Sequence, residues 1–199
     1  MESDALLDVL RTAGALKEGH FLLASGRHSG RYVEKFDLLR RPAATVLACA
    51  SIARHFADDR VDVVAGPTTG GVILAFETAR QMGIDAAYAE RASDGSARRE
   101  FRRGTSFVPG SRVLVVDDIL TTGGSVRETL AALAQQPVEV VGVSVLVDRS
   151  GGTVGFGVPL YPLVQLAIET WEADECPLCA GGVPLVKPGT TAATAAKAG

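Results

Sequence analysis

Cysteine is scarce in this chain: Cys49, Cys176 and Cys179 are the three among 199 residues. That is too few for a disulfide-built scaffold and points to the cytoplasm. Charge of one sign is also missing. Twenty Lys and Arg stand against 23 Asp and Glu, a net charge of −3, so no basic field points to a nucleic-acid partner. No apolar run approaches the roughly 20 residues of a membrane span without interruption by charge, Gly or Pro. The opening MESDALLDVL is acidic and amphipathic, unlike a secretory signal. There is no internal repeat, no G-x-x-x-x-G-K-[ST] phosphate loop, no G-x-G-x-x-G after a strand and no G-x-S-x-G nucleophile turn.

What is present is an ordinary globular balance, 47% hydrophobic and 22% charged, enough for one domain with small appendages. Leu6, Leu7 and Leu10 share a face of an N-terminal helix over 3–13. A Gly-rich, aromatic stretch of short strands or extended loop follows, and Pro42 opens a helix whose apolar face holds Val46, Leu47, Ala50 and Phe56. Strands are expected at 61–66, 84–89, 111–118 and 138–148, and helices over 72–82 and through Val126, Leu130 and Leu133. Residues 91–104 read as a polar loop. Near-continuous Val, Ile and Leu runs separated by helices imply a parallel sheet covered on both faces, with ligands at the carboxyl ends of its strands.

Residues 113–126, VLVVDDILTTGGSV, carry the strongest chemical signal. A buried strand delivers Asp117 and Asp118 to the sheet edge, where carboxylates can accept from a sugar diol or hold Mg²⁺ directly or through water. Thr121, Thr122, Gly123, Gly124 and Ser125 then form a small-residue turn opening a helix, a phosphate cradle. A ligand with a ribose diol beside a phosphate accounts for both halves. A strand end and a helix cap would account for either half alone.

These residues resemble the phosphoribosyl pyrophosphate signature of type I phosphoribosyltransferases, over roughly residues 1–185. The resemblance implies an α/β fold, Rossmann-like, with a central parallel sheet flanked by helices and a small hood from both termini. It divides the chain into an N-terminal helix and hood (1–40), a core (41–165), a C-terminal hood segment (166–185) and a tail (186–199). It gives Asp117 and Asp118 the ribose hydroxyls and a catalytic role, residues 121–125 the 5′-phosphate, and places Ile119 and Leu120 on phosphoribosyl pyrophosphate beside them. Within that family, HFLLASGRHSGRYVEKFDLL is similar to the hood of orotate phosphoribosyltransferases, and GPTTGGV (66–72) to their pyrophosphate loop, which places Thr68, Thr69, Gly70 and Gly71 on phosphoribosyl pyrophosphate. VDRSGG (147–152) is similar to their orotate turn, so that Arg149 would meet the substrate carboxylate with two parallel donors and Thr121 the base. Alone, Arg149 reads as a surface turn paired with Asp148. His28 falls where relatives have a Lys near the base. Lys35, placed on one strand face with Arg31 and Val33, would reach substrate or pair with Glu34.

Residues 91–103 fall where the family has a mobile lid. Arg91 would reach phosphoribosyl pyrophosphate, and Arg98, Arg99 and Arg102 would supply lid charge. The chain departs from the family here. Its lysines are Lys17, Lys35, Lys187 and Lys197, none of them in the lid, and Gly70 stands where many relatives carry a basic residue. Arginine is a poor general acid. The implied reaction moves ribose 5-phosphate from phosphoribosyl pyrophosphate to orotate with Mg²⁺, in a homodimer that shares the lid. The alternatives are a transferase for another base, such as a purine, and a non-catalytic phosphoribosyl pyrophosphate sensor. Cys176 and Cys179 have the spacing of half a zinc knuckle. With no obvious second half among His20, His28 and His55, they read as a reduced structural pair rather than a zinc site.

Overall fold

The computed structural model describes residues 3–188. The tail expected over 186–199 lies, from residue 189 on, outside the described residues. In chain order the first elements are α1 (Ser3–Thr12), β1 (Leu16–Leu22), β2 (His28–Val33), α2 (Lys35–Leu39), α3 (Pro42–His55) and β3 (Val63–Pro67). Next come α4 (Gly70–Met82), β4 (Asp85–Arg91), β5 (Arg99–Phe101), β6 (Ser111–Leu120) and α5 (Gly124–Leu133). Then follow β7 (Val138–Asp148), β8 (Leu160–Gln165), β9 (Thr170–Trp171) and α6 (Pro177–Ala180). Among the described residues no helix is long and apolar enough to cross a membrane.

The described residues form two compact units, 3–15 with 34–167, and 16–33 with 168–188. The segment 1–40, expected as an N-terminal helix and hood, contributes to both units. Helix α1 belongs to the larger unit because its apolar stripe is spent there, with Leu6 and Leu10 each 2% exposed.

The larger unit is built on a six-stranded sheet of order β5-β4-β3-β6-β7-β8, parallel except for the β4–β5 pair. The strands are parallel and apolar because they are covered on both faces. Alternation along β6 sends Val113 and Val115 toward the cluster that includes Val126 and Leu133 of α5, and Leu114 and Val116 to the opposite face. The chain runs outward from β3 to β4 on one side, then returns to place β6 on the other side of β3. That reversal is a topological switch point, and it sits between the loops that follow β3 and β6.

Three local expectations change. Helix α4 starts at Gly70, two residues earlier than its apolar pattern, because the paired glycines pack into its first turn rather than precede it. The polar segment 91–104 holds β5, which pairs antiparallel with β4 through Ala89–Phe101 and Arg91–Arg99. Its three residues alternate inward and outward too briefly to stand out from the surrounding charge. Strand β2 ends at Val33, so Lys35 is in helix α2 and does not share a strand face with Arg31; Glu34 caps that helix through its side chain.

The smaller unit is a three-stranded sheet of order β1-β2-β9, with β2 antiparallel to both neighbours. Val186 docks in register beside Phe21, exchanging hydrogen bonds with Leu22 and His20.

Candidate active site

Asp117 and Asp118 both lie in β6, which continues two residues past the expected end. Both are buried, at 7% and 4% exposure. Strand alternation turns them to opposite faces, so they are not a matched pair of ligands on one side. Asp117 lines a cavity of about 230 Å³ together with Arg91 and the loop from Ile119 to Ser125. Asp118 points to the α4 face, where the Lys35 ammonium stands 2.8 Å from its Oδ2. That oxygen is buried and accepts no well-directed hydrogen bond, while Oδ1 accepts from the Ile119 amide at 2.7 Å. Lys35 thus pairs with Asp118 and not, as one reading of the sequence had it, with Glu34.

Burial pushes the Asp117 carboxyl up, and the neighbouring Asp118 carboxylate pushes it further. The amide of Asp118, which donates to Asp117 Oδ1 at 2.8 Å, and the charges of Lys35 and Arg99 pull it part of the way back, leaving it at about 7.

The β6–α5 loop is an anion cradle by construction. Gly123 is the N-cap of α5 in the left-handed region, φ 80°, and no side chain caps the helix. Its first amides are open to a ligand. A Cβ at Gly123 would come within 2.8 Å of the Arg127 guanidinium and 2.9 Å of Val154. Arg127 donates to Thr122 O at 2.5 Å and lies over the Phe156 ring. It therefore ties the cradle to the loop after β7. Sequence reasoning passed over Arg127, although an Arg two residues after the TTGGS run is the signal that was there.

The β3–α4 loop is the opposing wall. Thr69 is the helix N-cap, again without a side-chain cap, and the Thr68–Thr69 peptide is cis. A Cβ at Gly70 would lie 1.8 Å from Asp118 Oδ2, so this position excludes any side chain while the carboxylate stays in place. The absence of a basic residue there follows from that packing. Thr68 Oγ accepts from Arg99 at 3.2 Å.

The cationic segment divides in two. Arg98 and Arg102 are exposed, and Arg98 pairs with Asp94 at 2.6 Å. Arg99, expected among the lid charges, is instead 6% exposed and donates to Ala89 O, Thr68 Oγ and Glu128. It is fixed inside the unit because β5 pairing turns it inward. Arg91 donates to Ala97 O and borders the cradle cavity.

Arg149 follows β7, and its amide donates to Leu120 O at 2.8 Å, which brings it to the same sheet edge as the cradle. Asp148 uses its Oδ1 to accept from the Ser150 amide. His28 lies in the smaller unit, buried, with Nδ1 3.0 Å from His20 Nε2.

Comparison with known proteins agrees with this geometry. A phosphoribosyl transferase domain matches residues 39–155. An orotate phosphoribosyltransferase of Caldicellulosiruptor bescii is 46% identical over 190 residues, covering 96% of this chain and 98% of its own. The crystal structure of orotate phosphoribosyltransferase from Aeropyrum pernix matches with a TM-score of 0.70 at 30% identity, over 81% of this chain and 93% of that one. A UMP synthase of Leishmania donovani matches with a TM-score of 0.69 at 25% identity, over 82% of this chain but only 36% of the longer protein.

Proposed function

The chain belongs to the phosphoribosyltransferase family, among the orotate phosphoribosyltransferases, and from that premise we propose how its residues carry ribose 5-phosphate from phosphoribosyl pyrophosphate to orotate. The products are orotidine 5′-monophosphate and pyrophosphate, a step of pyrimidine biosynthesis. The observation that carries the reading is the uncapped cradle beside a buried carboxylate at the switch point of a parallel sheet.

The amides and hydroxyls of Thr121 to Ser125 take the 5′-phosphate, aided by the positive end of α5. The β3–α4 loop, with Thr68, Thr69, Gly70 and Gly71, takes the pyrophosphate, and Arg91 adds charge at the cradle rim. Asp117 accepts from the ribose hydroxyls and stands near the anomeric carbon as positive charge develops there. Asp118 holds Lys35 at the other side of the strand, so that Lys35 is positioned by an ion pair. Arg149 and Thr121 receive orotate, the guanidinium matching its carboxylate. With reactants fixed this way, the protein's share of the work is positioning and electrostatics.

Hard oxygen donors suit Mg²⁺, and the Asp117 carboxylate lining the cradle cavity fits such an ion held through substrate and water, with Asp118 nearby holding Lys35. When bound, Mg²⁺ supplies Lewis-acid neutralisation of the pyrophosphate. The working form we propose is a homodimer in which exposed Arg98 and Arg102 close over pyrophosphate. Arg99 has no part in that lid, since it is buried.

The test is orotate loss, followed by ultraviolet absorbance, with phosphoribosyl pyrophosphate and Mg²⁺ against controls lacking each. Loss that needs both is the expected result. A folded protein that binds phosphoribosyl pyrophosphate but leaves orotate untouched would overturn the assignment; turnover of a purine base would then replace it, and no turnover would leave a sensor.

A further inference from the structure

The smaller unit has an unusual interior. Phe21, Val33 and Cys176 are its buried apolar residues among those described, and they share the interior with His20, His28 and Ser29. So small a unit has little apolar surface to hide. At its centre His20, His28, Cys176 and Cys179 each aim one ligand atom at a common point, and these four atoms all lie within 4.8 Å of one another.

The spacing is that of a coordination shell. Zinc bonds of ~2.0 Å to nitrogen and ~2.3 Å to sulfur, in a tetrahedron, give edges of about 3.3 Å (N to N), 3.5 Å (N to S) and 3.8 Å (S to S). His20 Nε2 lies 3.0 Å from His28 Nδ1, 3.4 Å from Cys176 Sγ and 3.7 Å from Cys179 Sγ, and Cys179 Sγ lies 3.3 Å from His28 Nδ1. Hydrogen bonding does not account for this convergence. His20 Nδ1 lies 2.8 Å from Val183 O, and as a donor to that carbonyl it leaves Nε2 with one lone pair. Three groups crowd that single lone pair, which can satisfy one donor. A carbonyl on the far nitrogen of a ligating histidine is also the usual outer partner that fixes its tautomer and orientation.

We propose that His20, His28, Cys176 and Cys179 form a structural zinc site, with four protein ligands and no open position, that ties the segment 176–186 to the β1–β2 hairpin. Two thiolates balance the charge of Zn²⁺, and a closed S₂N₂ set excludes a catalytic role for the metal. The Cys-Pro-Leu-Cys spacing is one half of the site. The other half is a pair of histidines eight residues apart, His20 within β1 and His28 at the start of β2. Sequence spacing shows no second half beside the pair, because the fold brings His20 to Cys176 from 156 residues away.

The site is tested on the full chain purified without a polyhistidine tag or chelator. Elemental analysis gives about one zinc per chain, retained through gel filtration. Cobalt replacement gives the intense visible bands of a tetrahedral ion and a thiolate charge-transfer band. Cys176→Ser with Cys179→Ser lowers the metal content at least roughly tenfold, while Cys49→Ser leaves it unchanged. Thiol labelling of the native protein does not depend on a variant folding. Cys179 is exposed, yet it reacts slowly until a chelator is added, which speeds labelling at least roughly tenfold. Wild-type protein from zinc-supplemented growth with less than about a tenth of an equivalent, and no tetrahedral bands on cobalt titration under reducing conditions, would overturn the proposal.

Discussion

The two loops at the switch point bind their ends in opposite ways. The β3–α4 loop is packed solid: Gly70 leaves no room for a methyl group against Asp118, a Cβ at Gly66 would lie 2.2 Å from Gly71 O, and buried Arg99 holds Thr68. The β6–α5 loop is packed at Gly123, where a Cβ would meet Arg127, Val154 and Phe156 within 3.0 Å, but borders open space one residue on. A Cβ at Gly124 would find nothing nearer than 3.9 Å, and one long side chain, Arg127, ties the loop back at Thr122. The first loop is a wall whose shape is set by the fold. The second is a cradle whose shape is left for an anion to complete.

The largest effect that would sharpen this contrast belongs to Gly70→Ala. Overpacking against a buried carboxylate costs about 1–3 kcal/mol of stability and displaces Asp118, so turnover falls with it. Gly124→Ala in the cradle loop, where the nearest atom would lie 3.9 Å away, stays within about 0.5 kcal/mol in the same thermal or urea melt. Equal stabilities for the two variants would break the distinction between wall and open loop.

Arg99→Met comes next. It leaves the Ala89 carbonyl and Glu128 without the guanidinium they share, at about 1–3 kcal/mol, whereas Arg98→Met on the exposed side changes stability by less than about 1 kcal/mol. Urea melts of both variants check the pair. The smallest stability effect is expected for Arg127→Ala, about 1 kcal/mol, because its hydrogen bond to Thr122 O is exposed. Its mark is kinetic: the KM for phosphoribosyl pyrophosphate rises by roughly fivefold to tenfold with a smaller change in kcat.

The contrast also separates what could be read from residues alone. Strand β7 coincides with its apolar run, 138–148, and the Asp-Asp and Thr-Thr-Gly-Gly signals led to the cradle because the whole pattern is local. Strand β5 was not legible, since three residues between arginines show no period. Nor was the division of labour among the arginines, for pairing register alone decides that Arg99 faces in and Arg98 out. The Lys35–Asp118 pair and the His20–Cys176 contact join residues far apart in sequence, and no spacing rule reaches across such distances.

Asp117 puts the central claim at most direct risk, because the fold keeps it at a cost. Its carboxyl is raised from 3.8 to about 7, so its protonated form favours the folded state; that stabilisation is complete below about pH 4 and is lost as pH rises through about 7. Asp117→Asn removes the buried charge. The measurement is the pH dependence of urea stability for wild type and this variant, run beside orotate turnover. The predicted result is equal stability near pH 4, a variant more stable by on the order of 1–2 kcal/mol above pH 7, and turnover lowered at least roughly a hundredfold. A variant that turns over orotate within threefold of wild type, or that is less stable above pH 7, would contradict the claim that Asp117 is buried for the reaction and not for the fold.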